Sequence, residues 1–148
     1  MLSDAFGPNS IAISTERLSW TEAVSKAVGL LVSDGRATEG YVNEVLAASE
    51  KLGPYFVVAP GIAIAHAAPS RSVKATGFAL LRLDIPVASG SINDPVRLLF
   101  SFCAIDSDSH LELLADFAKT LSEPGKVNLL LNASDSEAIR RHLSDSVG

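Results

Sequence analysis

Residues 53–69 read Gly-Pro-Tyr-Phe-Val-Val-Ala-Pro-Gly-Ile-Ala-Ile-Ala-His-Ala-Ala-Pro, and this stretch is apolar except for His66. Two interpretations fit such a histidine. It is either a core residue of a buried strand, or a reactive imidazole at a strand end that acts as nucleophile or ligand. Gly61 and Pro69 bracket the histidine, and small side chains leave space around its ring: Ala63, Ala65, Ala67 and Ala68. Because core histidines usually have bulkier neighbours, this composition favours a reactive imidazole.

The segments around this stretch alternate between helical and extended patterns. Ser19 and Glu22 form a capping-box pattern that begins a first helix, and Gly35 ends it. Thr38 begins a second predicted helix that ends by Gly53 and Pro54. Extended patterns predict strands over residues 11–14, 55–58, 62–65, 76–83 and 96–105. The last of these runs is apolar almost throughout, which predicts a central strand covered on both faces.

The last third of the chain has helical periodicity. The pattern Ser109-His110-Leu111-Glu112 predicts a second capping box. A predicted amphipathic helix follows it, with apolar residues at 111, 114, 115, 117, 118 and 121. Residues 122–125 break that helix, and residues 127–131 form a short apolar segment that we predict to be helical. A third capping box over residues 134–137 begins a terminal helix with Ile139 and Leu143 facing inward.

These patterns together predict one α/β domain over residues 1–148. Its core is a mixed β-sheet of four or five strands flanked by helices, which is an α/β sandwich. Residues 1–10 have no periodicity and include Gly7 and Pro8, so we predict a loose N-terminal lead-in there.

Composition excludes several classes of function. The chain has 148 residues, a net charge of −5 and no basic block, which argues against nucleic acid as the main partner. Its apolar runs are too short to span a membrane, and its N-terminus lacks the basic region of a signal peptide. Cys103 is the only cysteine, so no intrachain disulfide can form and a reducing cytoplasm is the expected setting. Neither a helical His-x-x-x-His pair nor a Gly-x-Ser-x-Gly elbow is present, which disfavours a metal-dependent or a serine hydrolase.

The segment Pro60-Gly-Ile-Ala-Ile-Ala-His-Ala67 resembles the active-site signature of a known family. These are the enzyme IIA domains of the phosphoenolpyruvate-dependent sugar phosphotransferase system, of the mannitol/fructose class (type 2). Gly-Pro-Tyr at 53–55 and Asn-Asp-Pro-Val-Arg-Leu at 93–98 resemble its ascorbate-type branch most closely. The resemblance extends over roughly residues 10–143. It implies the same α/β architecture, with His66 as the phosphorylated nucleophile.

His110 is the second candidate. As the first residue after a Ser109 cap, it would lie beside free backbone N–H groups and the positive end of the helix dipole, which disfavours imidazolium. From the residues alone, the same pattern fits an exposed histidine next to an ordinary capping box equally well. The resemblance implies the functional alternative, in which a neutral His110 stabilises the phosphoryl group.

Other residues are weaker candidates. Ser109 could donate to phosphate, and Arg71 could clamp a phosphoryl oxygen. The chain departs from the pattern of its apparent relatives, since it has Ala68 where they often place an arginine and Ser49 or Glu50 where mannitol-type members use one. We read the remaining polar and aromatic candidates as structural: Asp106 and Asp108 as loop and cap residues, Lys74 and Arg82 as surface charges, His142 as a solvated helix-end residue, and Cys103 and Trp20 as packing residues.

The resemblance implies a cytoplasmic phosphoryl carrier without cofactor or metal. It would accept phosphate from phospho-HPr on His66 and pass it to a cysteine of enzyme IIB, for uptake of ascorbate or a related sugar. The alternative within the family is a regulatory module whose interactions depend on phosphorylation. Because the surface is acidic and a relay needs short-lived complexes, we expect basic partner proteins and a modest, partly apolar docking face around His66.

Overall fold

A five-stranded mixed sheet forms the centre of the protein in the computed structural model, which describes residues 2–144. The strands are β1 (Phe6–Ser14), β2 (Val57–Ala59), β3 (Ile62–Ala65), β4 (Gly77–Val87) and β5 (Val96–Cys103), in the spatial order β1-β4-β5-β3-β2. The pairs β1–β4 and β3–β5 are parallel, whereas β4–β5 and β2–β3 are antiparallel. The helices are α1 (Trp20–Ser33), α2 (Glu39–Leu52), α3 (Ser107–Leu121), α4 (Lys126–Asn132) and α5 (Ser136–Ser144). The predicted α/β class is confirmed.

Strand β5 is the central strand, as its apolar sequence predicted. It pairs with β4 on one side and β3 on the other, and helices cover both faces of the sheet. Alternate residues therefore enter two separate cores. Leu99 belongs to the core beneath α1 and α2, whereas Phe100 and Phe102 belong to the core beneath α3, α4 and α5. Burying one such large side chain stabilises the fold by about 1.5–3 kcal/mol, so an apolar residue is favoured on each face.

The prediction of a loose lead-in over residues 1–10 is wrong. Leu2–Ala5 is a short 3-10 helix, and β1 begins at Phe6. Leu2 is only 3% exposed, and the ring centroid of Phe6 lies 5.6 Å from that of Phe78 on β4. Because these contacts join residues distant in sequence, no local periodicity predicts them. Met1 lies outside the described residues.

Two strand boundaries also differ from the prediction. The extended pattern at 55–58 becomes β2 at Val57–Ala59, because Pro54, Tyr55 and Phe56 form the turn that leads from α2 into the strand. Strand β4 does not end at residue 83 but continues through Pro86 to Val87, which pairs with Val96 after an irregularity in the ladder. A proline is tolerated there because the irregular segment requires no ladder bond from its nitrogen.

The helix starts were predicted with mixed success. The Ser19 capping box is confirmed: Glu22 N–H donates to Ser19 Oγ at 3.1 Å, and Ser19 N–H donates to Glu22 Oε1 at 2.9 Å. The third capping box is wrong, because α5 begins later and Ala138 N–H donates to Asp135 Oδ1. Aspartate caps as well as serine does, so neighbouring Asp and Ser residues leave the start ambiguous. No helix within residues 2–144 has the length and apolar character needed to cross a membrane.

Arg82 is not the surface charge that we predicted. Its side chain is buried between β4 and the end of α4, where Nη1 donates to the backbone oxygens of Leu130 and Ala133 and Nε pairs with Asp84 Oδ1 at 2.9 Å. The last carbonyls of a helix have no intrahelical partner, so a buried helix end needs such a donor. Arg82 therefore joins α4 to the sheet.

Replacing Arg82 with methionine should destabilise the fold by about 2–4 kcal/mol, because two buried carbonyl groups lose their donor. Urea unfolding followed by circular dichroism measures the effect. The matched control is Lys74→Met at an exposed position, which should stay within about 0.5 kcal/mol of wild type. Equal unfolding midpoints for the two variants would contradict a structural role for Arg82.

Candidate active site

His66 is the first residue beyond the paired part of β3. The parallel ladder with β5 ends at the pair Ala65–Ser101, and His66 then projects from the carboxyl edge of the sheet. Its half-buried ring stacks on Phe102, with centroids 4.8 Å apart and an interplanar angle of 25°. The rings of Phe56 and Tyr55 lie 5.7 Å and 6.0 Å away. Aromatic contacts on several sides thus fix the orientation of the imidazole.

The two ring nitrogens of His66 differ in environment. Nδ1 lies 3.0 Å from the backbone oxygen of Ile64, which can only accept a hydrogen bond, so Nδ1 carries the proton. Nε2 consequently keeps its lone pair. Burial lowers the pKa of His66, and the nearby His110 lowers it further, against the opposing effect of the bond to Ile64. The ring is therefore neutral near pH 7, and Nε2 is the nitrogen whose lone pair is available.

We expect His66 to titrate below the ordinary histidine pKa of about 6.5, since desolvation disfavours the imidazolium form. A ¹⁵N nuclear magnetic resonance titration of the ring nitrogens measures the midpoint directly. The same histidine in the urea-unfolded chain is the internal control and should show the ordinary value. A folded-state midpoint equal to or above the unfolded one would contradict this environment.

His110 lies on the first turn of α3, but not where the capping-box prediction placed it. The helix begins at Ser107 after an Asp106 cap, whose Oδ1 accepts from Ser109 N–H at 2.8 Å. His110 is the fourth helical residue, and its N–H donates to Asp106 O at 3.1 Å. Ser109 is therefore not the cap, although Asp106 is a cap residue as expected.

The same shift rotates the helix relative to the predicted apolar face. Leu111 was expected to face inward but is 66% exposed, whereas Leu113 is buried beside the predicted Phe117. His110 consequently faces the sheet, and its ring contacts Phe102 with centroids 4.9 Å apart.

His66 and His110 form a pair across the ring of Phe102. Their ring centroids are 5.4 Å apart, with an interplanar angle of 70°. The Nδ1 atom of His110 is buried and has no hydrogen-bond partner among residues 2–144. A second imidazole thus lies beside the His66 ring, where it can donate a hydrogen bond to an anion bound between them.

The other predicted site residues are not joined to this pair. Hydrogen bonds from the backbone N–H and the side-chain hydroxyl of Ser109 lower the pKa of Asp106. The Ser109 hydroxyl is therefore directed at Asp106, the cap of α3. Ser109 also lines a cavity of about 290 Å³ together with Arg36 and Thr76. Arg71 is exposed, and within residues 2–144 no hydrogen bond links it to either histidine. The phosphate-binding roles of Ser109 and Arg71 stay predictions.

Sequence reasoning missed the aromatic frame of the site. Phe102 was read as an ordinary strand residue, yet its ring touches both histidines. Tyr55 was read as a strand residue and as part of a family pattern, whereas its hydroxyl donates to His66 O at 3.3 Å. The clustering of aromatic residues next to a strand-end histidine was the available signal.

Cys103 is a core residue, as predicted. Burial raises the pKa of its thiol to about 12, and Sγ lies 3.3 Å from the backbone oxygen of Ala75. A thiol that stays protonated is a poor nucleophile, so Cys103 is inert at neutral pH. Over the described part of the chain, no three His, Cys, Asp or Glu side chains are grouped to hold a metal ion.

Comparison with known proteins identifies the family. The family model described as "Phosphoenolpyruvate-dependent sugar phosphotransferase system, EIIA 2" matches residues 5–146. The chain belongs to this family. The resemblance seen in the sequence is therefore confirmed, and the protein is an EIIA component of that phosphotransferase system.

Individual relatives agree with this assignment. The ascorbate-specific PTS system EIIA component of Escherichia coli (strain K12) is 40% identical over 114 residues, which cover 76% of this chain and 74% of the relative. The solution structure of the mannitol-specific cryptic phosphotransferase enzyme IIA CmtB from Escherichia coli has a TM-score of 0.88 at 29% identity and covers 97% of both chains. The complex of enzyme IIAMTL and phosphorylated enzyme IIBMTL from Escherichia coli matches with a TM-score of 0.80 at 21% identity, over 94% of this chain and 96% of that chain. The last likeness is one of fold alone.

Proposed function

We propose that this EIIA component is a cytoplasmic phosphoryl carrier in which His66 Nε2 is the phosphorylated atom. The observation that carries the proposal is the bond from Nδ1 to Ile64 O, which leaves the lone pair on Nε2 of the neutral ring, with the centroid of the His110 ring 5.4 Å from that of His66. Phospho-HPr is the donor, and a cysteine of enzyme IIB is the acceptor.

The transfer needs no proton movement at the reacting nitrogen. The Nε2 lone pair of His66 attacks phosphorus, and the phosphorus–nitrogen bond of the donor breaks, so the donor imidazole leaves with its electron pair. Bond formation puts positive charge on the His66 ring, and Ile64 O stabilises this charge through Nδ1–H. In the second step the IIB thiolate attacks phosphorus, and the bonding electrons return to Nε2.

His110 is proposed to stabilise the transferred group. It supplies a hydrogen bond to a phosphoryl oxygen and lies on the first turn of α3, near the positive end of the helix dipole. Both effects act on an anion at His66 without adding a fixed positive charge. The phosphoryl group is thus held and can still leave.

An apolar groove next to the histidine pair supports protein partners at this site. It has a volume of about 360 Å³ and lies between β2, β3 and α3. Ile64, two residues before His66, and Leu114, four residues after His110, both line it. Val58 and Leu111 add exposed apolar surface nearby. Given the net charge of −5, partners with a basic rim around an apolar centre fit this face best.

Ascorbate or a related sugar is the proposed transport substrate of the whole system. The support is the 40% identity to the ascorbate-specific component of Escherichia coli. The sugar does not bind this component in a relay, so specificity is set by the choice of enzyme IIB.

The test is phosphoryl transfer from radiolabelled phosphoenolpyruvate in the presence of enzyme I and HPr. We expect an acid-labile, base-stable label on the wild-type protein. The label should move to an ascorbate-type enzyme IIB and remain on the carrier when a mannitol-type IIB is offered. Absence of label would overturn the carrier proposal, whereas a label that no IIB accepts would favour the regulatory alternative.

A further inference from the structure

Tyr41 on α2 bridges the two backbone segments that present the site. Its hydroxyl accepts a hydrogen bond from Ala67 N–H at 3.0 Å and lies 2.8 Å from Phe102 O. Ala67 O is also within reach at 3.2 Å, but a hydroxyl has one hydrogen, and the shorter contact with Phe102 O takes it. We propose that Tyr41 is a positioning residue for His66, a role that rests on the proposed carrier function.

The bridge lies where the sheet ladder stops. Strands β3 and β5 pair in parallel up to Ala65 and Ser101, and the next residues along each strand are His66 and Phe102. Beyond that point the Tyr41 hydroxyl lies between the Ala67 N–H and the Phe102 carbonyl oxygen. These two backbone groups therefore do not bond to each other. The hydroxyl thus sets the distance between the two segments at the level of the active histidine.

Both segments contribute directly to the geometry of the site. Ala67 follows His66 in the chain, and the ring of Phe102 lies against both histidines at centroid distances of 4.8 Å and 4.9 Å. A shift of either backbone therefore changes where Nε2 points and how far it lies from His110. Misplacement of a reacting group by 1 Å can slow a reaction by about a hundredfold.

The Tyr41 hydroxyl is the side-chain group that joins these two backbone segments in the described residues. Tyr41 and Phe102 are fully buried, whereas Ala67 is partly exposed. Without the hydroxyl, the buried C=O of Phe102 and the partly buried N–H of Ala67 lose their partner and must either bond to each other or bond to water. The remainder of the loop stays attached, because Glu44 accepts hydrogen bonds from Ser70 and Ser72. The effect of losing the hydroxyl is thus local to His66.

The experiment compares Tyr41→Phe with Ser10→Ala. The control removes another fully buried hydroxyl, which donates to Gly7 O at 2.8 Å on the edge strand β1. Single-turnover transfer from phospho-HPr should be about 10- to 100-fold slower in Tyr41→Phe and unchanged in Ser10→Ala. The ¹⁵N shifts of the His66 ring should show a mixture of Nδ1–H and Nε2–H tautomers in Tyr41→Phe alone.

The ring shifts test positioning without any phosphorylation. A wild-type protein that takes no label, but whose His66 tautomer changes in Tyr41→Phe, would refute the carrier function and support the positioning. If Tyr41→Phe and Ser10→Ala have the same transfer rate and the same His66 tautomer, the positioning role of Tyr41 is overturned. If Tyr41→Phe fails to fold, hydrogen exchange of the wild-type backbone amides tests whether the Tyr41 bridge exists. Ala67 N–H must then exchange far more slowly than Ala68 N–H, which makes no hydrogen bond among the described residues, and equal rates would overturn the bridge.

Discussion

Replacing His66 with glutamine should reduce phosphorylation of this EIIA component at least about a thousandfold, as removal of the nucleophile does in other covalent catalysts. Glutamine preserves polarity and approximate size, but its amide nitrogen has no nucleophilic lone pair. The Cys103 thiol cannot take the place of His66, because it is buried and its pKa is raised. Acid-labile label from phosphoenolpyruvate, counted after a fixed time with enzyme I and HPr, measures the effect.

The matched control is His142→Gln, the same chemical change on α5. It should take up label at the wild-type rate, because within residues 2–144 the His142 imidazole makes no hydrogen bond and Lys126 Nζ donates to its backbone oxygen. Circular dichroism of His66→Gln should match wild type, since within residues 2–144 the half-buried imidazole makes a single hydrogen bond, to the backbone oxygen of Ile64. Full labelling of a folded His66→Gln protein would assign the phosphoryl group to another residue and refute the proposed role.

Local sequence patterns were sufficient where neighbouring residues alone determine the structure. The apolar run at β5 has no polar alternation, and it predicted a central strand because a strand buried on both faces is apolar along its length. The Ser19–Glu22 pair predicted the start of α1 because reciprocal capping places these two residue types three positions apart. Arg82 shows the limit. The two carbonyl groups to which it donates lie 48 and 51 residues away along the chain, so its sequence neighbourhood resembles that of any strand-end arginine.

The candidate site was predictable to the same extent. The small residues around His66 and the family pattern identified the two histidines, but not how they meet. Their arrangement depends on Phe102, which lies 36 residues after His66, and on an Asp106 cap that competes with Ser109 for the start of α3. Serine and aspartate have similar capping preferences, so propensity could not choose between them. The choice moved His110 from the first to the fourth helical position and exposed Leu111.

Replacing His110 should slow phosphoryl transfer about a hundredfold without preventing it, because loss of one donor to a developing anion typically costs about 10²–10³ in rate. The label should still form on His66, and the defect should appear in the rate constant of transfer rather than in the extent of labelling. Rapid-quench measurements of the transfer from phospho-HPr, and of the transfer to enzyme IIB, distinguish a lower rate constant from a lower extent of labelling. Equal rates for wild type and His110→Ala would contradict a stabilising role.

Two isosteric variants show which nitrogen of His110 donates. The amide of glutamine reproduces the position of Nε2, and that of asparagine reproduces the position of Nδ1. Because Nδ1 is buried and without a partner in the described part of the chain, the donor that faces an incoming phosphoryl group is Nε2–H. His110→Gln should therefore retain about tenfold more activity than His110→Asn, an amount equal to about 1.4 kcal/mol of transition-state stabilisation. The reverse order would mean that the imidazole turns over when phosphate arrives, with the buried nitrogen becoming the donor.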